Sequence, residues 1–99
     1  IDGCSFDTLD DCIAIKSGRD WDGRRVNQTS SNIIIRDCKM KDGHGAVVIG
    51  SETSGGIKNV FAENCIWDSP NLDHGLRIKT NSKRGGIIEH VFLRNITIF

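Results

Sequence analysis

A chain of 99 residues suffices for one small domain, and 37% hydrophobic content is low for a compact core. The 13 basic and 13 acidic side chains cancel, which argues against nucleic acid or an anionic membrane as a general partner. No apolar run approaches the length of a membrane span. Ile, Val, Gly, Asn, Asp and Ser are plentiful while Ala and Leu are sparse, a balance that favours strands and turns over helices.

Taken in order, the chain opens on Ile1-Asp2-Gly3-Cys4-Ser5-Phe6-Asp7 and then reaches Leu9-Asp10-Asp11-Cys12-Ile13-Ala14-Ile15-Lys16-Ser17-Gly18. Two adjacent carboxylates run straight into an alternating apolar segment. Ile13 and Ile15 share one face if this is a strand, because side chains alternate with period two. By the same rule Asp10 and Asp11 face opposite ways, and they converge only where the backbone turns or bulges. Taken alone, the acid pair reads as a solvated turn. Residues 19–31 are charged, lack periodicity and predict a loop projecting from the fold near the acid pair, either as a solvated excursion or as the wall of a cleft with Trp21 free to stack.

Beyond this point the chain repeats itself. Ile35-Arg36-Asp37-Cys38-Lys39-Met40 and Ala62-Glu63-Asn64-Cys65-Ile66-Trp67 echo the opening heptad, and Leu93-Arg94-Asn95-Ile96-Thr97-Ile98 does so again. Cys4, Cys38, Cys65 and Ile96 are offset by 34, 27 and 31 residues. A second series, Ile13-Ala14-Ile15, Val47-Val48-Ile49 and Leu76-Arg77-Ile78, advances by 34 and 29. Asn32 and Asn59 recur before the first strand type, where Asn tolerates left-handed backbone and bonds locally. Periods of this size mean stacking of like units. The predicted fold is all-β: a right-handed parallel β-helix, a solenoid of about three coils of a longer helix. A β-sandwich with long hairpins is the rival, but it needs no register between like residues a whole repeat apart. Ile1 at one end and the apolar run Val91–Phe99 at the other suggest a single partial segment, 1–99, truncated at both ends. The four cysteines, Cys4, Cys12, Cys38 and Cys65, have no zinc-ribbon or redox-pair spacing. Stacked buried thiols are the first reading and disulfides the second.

Aligned by repeat, the second series delivers different polar cargo at each unit: Asp10 and Asp11, then Gly43-His44-Gly45, then Arg77 and Lys79. With Leu76 and Ile78 on the core face, both cations point outward. One carboxylic acid can protonate a glycosidic oxygen while a second carboxylate activates water. An imidazole can hold a proton or orient the acids. Arg and Lys can clamp an anionic carboxylate, Arg through two parallel hydrogen bonds. Individually, His44 between glycines reads as a turn residue, and Arg77 with Lys79 as a solvated face. Their joint register favours a site.

Thr8–Gly18, Asp42-Gly43-His44-Gly45 and Arg77-Ile78-Lys79 together resemble the signature blocks of polygalacturonases, glycoside hydrolase family 28. The resemblance implies secreted or periplasmic enzymes of pectin degradation, acting on the plant cell wall. They cleave α-1,4-galacturonosidic bonds with inversion and need no cofactor or metal. It implies catalytic roles for Asp10 (general acid), Asp11 (water activation) and His44 (support of the acids), and substrate binding by Arg77 and Lys79. The partner would be a pectic polysaccharide or oligogalacturonide, with the parent protein a monomer. The insertion at 19–26 looks more like bacterial exo-acting members. Two departures stand out: Leu9 replaces the family's glycine before the acids, and the family's upstream Asn-Thr-Asp block and cleft tyrosine are absent. The 99 residues alone are therefore expected to hydrolyse little. The alternative function is a non-catalytic β-helix of carbohydrate-binding or adhesin type.

Overall fold

The structure, a computed structural model, describes residues 1–99. In chain order the elements are β1 (Ser5–Phe6), β2 (Ile13–Ile15), α1 (Asp20–Val26), β3 (Ser30–Arg36), β4 (Lys39–Met40), β5 (Gly43–Gly50), β6 (Ile57–Trp67), β7 (Leu72–Lys79) and β8 (Ile88–Ile98). Every pairing between these strands is parallel. One sheet holds β1, β4, β6, β3 and β8; the other runs β2-β5-β7. The chain winds through both sheets once per turn, as a right-handed parallel β-helix of about three coils.

The register reproduces the repeat offsets. Ile15 pairs with Ile49 and Ile49 with Ile78. Lys39 pairs with Ile66, and Cys65 with Ile96. Like residues thus stack into rows. Ile13–Val47 and Ile15–Ile49 line the interior from one sheet, with Leu76 and Ile78 continuing those rows in register on the exposed last coil, and Ile35–Ala62–Leu93 from the other. Burial is complete in the middle coil and declines along each row: Ile49 is 0% exposed and its partner Ile78 51%.

The corners explain why the period survives irregular strand lengths. Asn32, Asn59 and His90 occupy left-handed backbone at equivalent heights, with φ of 58°, 57° and 56°. Asn59 Nδ2 donates to Asn32 Oδ1 at 3.1 Å, and His90 Nδ1 lies 3.2 Å from Asn59 Oδ1. A second kink stacks Gly3, Asp37, Asn64 and Asn95, all with positive φ, and Asn95 Nδ2 donates to Asn64 Oδ1 at 2.7 Å. Left-handed backbone costs most L residues about 1–2 kcal/mol. Asn and Asp offset this through local bonding, so each corner is written into the sequence.

The cysteines are free thiols. Cys38 and Cys65 are buried in the core, as the stacked-thiol reading expects, whereas Cys4 is exposed. Burial pushes the Cys65 thiol up, consistent with an inert core group. On the outer face, Asp2, Arg36, Glu63 and Arg94 follow one another in register from coil to coil, and Arg36 Nε reaches Asp2 Oδ2 at 3.1 Å.

The stretch 19–31 departs from expectation. It is not a loop throughout: residues 20–26 form α1, and β3 begins at Ser30. It also follows the C-terminal end of β2, whereas the acid pair precedes the N-terminal end. The helix is held from outside. The Asp20 carboxylate takes both its short contacts from Arg84 Nη1, each at 2.8 Å, and the Asp20 N–H donates to Ser54 Oγ at 2.7 Å. Hydrogen bonding to Arg84 holds the Asp20 carboxyl below the usual carboxylate range. Arg24 Nη1 donates to the Lys83 carbonyl at 3.0 Å. These ties clamp α1 to the two following coils and leave Trp21 71% exposed.

Candidate active site

The acid pair lies on a bend at Leu9–Asp10, and this bend resolves the alternation problem. Thr8 Oγ1 donates to the Asp10 carbonyl at 2.6 Å, and the Asp11 N–H donates to Asp10 Oδ1 at 2.8 Å. Leu9 is exposed and is not among the residues with positive φ, so the bend forms without a glycine there. Beneath it, Cys12 Sγ lies 3.6 Å from Thr8 Oγ1, and burial raises its thiol above the ordinary range. Cys12 therefore serves as apolar packing at this position.

The two carboxylates end in different environments. The Asp10 side chain is 82% exposed, whereas that of Asp11 is only 9% exposed. His44, from the next coil, places Nδ1 3.9 Å from Asp10 Oδ1, and its N–H donates to the Asp10 carbonyl at 3.1 Å. Lys79, from the third coil, reaches Asp11 Oδ2 at 3.3 Å, while Asp11 Oδ1 is buried without a partner.

β7 sets the cations. Leu76 and Ile78 continue the inner rows above Val47 and Ile49. Arg77 and Lys79 therefore face outward, with Arg77 above Val48 and Lys79 above Gly50. Arg77 is half-buried and makes no side-chain hydrogen bond or ion pair. Three successive coils thus bring Asp10, Asp11, His44, Arg77 and Lys79 to one outer face. Contacts between coils join them as two pairs, Asp10 with His44 and Asp11 with Lys79, and the Asp11 N–H bond to Asp10 Oδ1 ties the pairs together.

Two further polar features escaped the sequence reading. His74 lies opposite Gly45 and directs Nδ1 to the His44 carbonyl at 3.2 Å. Its offset from Gly45, 29 residues, equals that of Ile78 from Ile49, so the repeat carried the signal. The second feature is Lys16, whose Nζ donates to the Gly50 carbonyl and to Glu52 Oε1, both at 2.9 Å.

Hydrogen bonds from Lys16 and then Ser51 lower the Glu52 carboxyl from 4.5 to about 2. A depressed carboxyl stabilises the fold fully above its unfolded value and loses that contribution as pH falls through the folded one. The melting-temperature gap between wild type and Lys16→Met should therefore be widest above pH 4.5 and narrow toward pH 2. A gap that stays constant through that range in thermal melts contradicts this coupling.

A parallel β-helix whose successive coils line one outer face with acids, an imidazole and cations defines the class: a solenoid with a polar strip crossing its rungs. The profile of Glycosyl hydrolases family 28 matches residues 1–99. A probable polygalacturonase from Vitis vinifera is 36% identical over 99 residues, covering 99% of this chain and 20% of its own length. The exo-poly-alpha-D-galacturonosidase of Dickeya chrysanthemi is 38% identical over 90 residues, covering 91% of this chain and 14% of its own. The crystal structure of a hyperthermoactive exopolygalacturonase from Thermotoga maritima superposes with a TM-score of 0.92 at 44% identity, over 99% of this chain and 24% of that one. The chain belongs to glycoside hydrolase family 28, and it spans about a fifth of the length of the curated relatives it matches.

Proposed function

We propose that the protein carrying this chain is a polygalacturonase that hydrolyses α-1,4-galacturonosidic bonds of pectin with inversion. The observation that carries the reading is the delivery of both aspartates, His44 and the Arg77–Lys79 pair to one outer face by three consecutive coils. Asp10 is the general acid: it is open to solvent and stands beside an imidazole that can hold its proton. Asp11 is a water-activating carboxylate, recessed and oriented by Lys79. The unpaired Arg77 guanidinium supplies a two-pronged donor for a galacturonate carboxylate, and Lys79 adds a second positive charge. The second water-activating carboxylate belongs to the family's Asn-Thr-Asp block, outside these residues.

Exo action is the finer reading, supported by the clamped insertion that carries α1 and by the names of two relatives described above. Residues 1–99 act in this reading as one partial segment of a monomeric, secreted or periplasmic enzyme that uses no metal. The test is the complete gene product on polygalacturonate, read by new reducing ends and by NMR of the first product. Turnover that releases the β-anomer from the α-linked chain is expected. Binding without turnover, or release of the α-anomer, overturns the reading.

A further inference from the structure

His44 sits between Gly43 and Gly45, the residue type that restrains neighbouring backbone least. The sheet holds both glycines, Gly45 through its carbonyl to the Cys12 N–H at 2.8 Å and Gly43 through its N–H to the Asn71 carbonyl at 3.3 Å, and two further contacts act on His44 itself. On one side its N–H is tied to the Asp10 carbonyl at 3.1 Å. On the other side the contact is a side chain, His74, whose Nδ1 lies 3.2 Å from the His44 carbonyl. A carbonyl oxygen only accepts, so Nδ1 of His74 carries the proton in this contact, and in the neutral ring Nε2 is left unprotonated.

The face on which His74 lies follows from its register partner. A Cβ on Gly45 would meet Val48 Cγ2 and would lie 3.6 Å from Asp11 Oδ1, which places that position on the outer face. A Cβ on the next residue of β7, Gly75, would meet the ring of the buried Trp67, so the chain turns inward there. His74 is exposed and shares the outer face with Arg77 and Lys79.

We propose that His74 is a positioning residue of the outer-face site: its Nδ1–H holds the main-chain carbonyl of His44 and thereby keeps the His44 imidazole beside Asp10. The chain of contacts Asp10–His44–His74 links the three coils in turn, beside the Asp11–Lys79 link. His74 acts through His44, so its loss changes the rate of the chemical step more than the binding of substrate. This inference rests on the proposed hydrolase activity.

The test uses the complete gene product and three measurements. His74→Ala should lower kcat on oligogalacturonides about tenfold to a hundredfold, the scale of a misplaced catalytic group, with KM within about twofold of wild type. His74→Asn, whose amide N–H can reach the same carbonyl, should recover most of that loss. Nitrogen-15 NMR of the His74 ring near neutral pH should show the proton on Nδ1. Wild-type kcat in His74→Ala, a raised KM with unchanged kcat, equal impairment of both variants, or a proton on Nε2 would each overturn the proposal. A wild type that turns over no polygalacturonate defeats the hydrolase reading instead, and the NMR result then decides the positioning contact alone. Should His74→Ala fail to fold, His74→Leu, which keeps bulk but has no side-chain N–H, takes its place in the comparison with His74→Asn.

Discussion

Asp10→Asn in the complete gene product is expected to lower hydrolysis of polygalacturonate by about 10²–10⁴-fold, the range for losing a general acid. The substitution is nearly isosteric. An asparagine carbonyl can still accept the Asp11 N–H that Asp10 Oδ1 now accepts at 2.8 Å, so the bend at the mouth of β2 should persist. What disappears is an acidic proton for the leaving oxygen, at an exposed side chain with a histidine 3.9 Å away. Affinity for oligogalacturonides should hold, because Arg77 and Lys79 are untouched. Reducing-end release measured beside isothermal titration separates the two effects. Undiminished turnover would remove Asp10 from the mechanism, and lost binding would make it a substrate contact.

Gly50→Ala is expected to destabilise the fold by about 3 kcal/mol or more, the upper range for backbone strain combined with a steric conflict. Gly50 has φ +99°, and a Cβ there would lie 1.9 Å from the Lys79 carbonyl oxygen. That oxygen is main chain of the next coil, so relief requires β7 to lift from β5. Lifting β7 also withdraws Lys79 from Asp11, and activity should fall with stability. Gly85→Ala is the control: φ is +60°, but nothing lies within 4 Å of its Cβ, so only the cost of left-handed backbone, about 1–2 kcal/mol, remains. Thermal melts of the two variants should differ by several degrees. Equal midpoints would show that the coils tolerate separation at Gly50.

Much of the fold was legible because a stacked coil writes its geometry as a repeat. Cys65 and Ile96, 31 residues apart, are register partners because each follows a left-handed Asn, at 64 and 95. The outward direction of Arg77 and Lys79 followed from the apolar neighbours that flank them. The helix at 20–26 was not legible, since its seven residues carry no apolar face and its anchors, Ser54 and Arg84, lie in other coils. Nor could alternation place Asp10 and Asp11. Their opposite exposures come from a local bend built by Thr8 and by the Asp10 carboxylate itself. His74 was not legible by residue type, because its register partner on β5 is Gly45 rather than His44, and no like residue marks its row.

The outer row Asp2, Arg36, Glu63, Arg94 alternates in sign from one winding to the next. Excising one winding would set Asp2 against Glu63 or Arg36 against Arg94, and like charges directly opposite one another on neighbouring strands repel. Excising two adjacent windings would set Asp2 against Arg94 and restore attraction. Along this edge, removing an even number of turns keeps unlike charges adjacent, and removing an odd number does not.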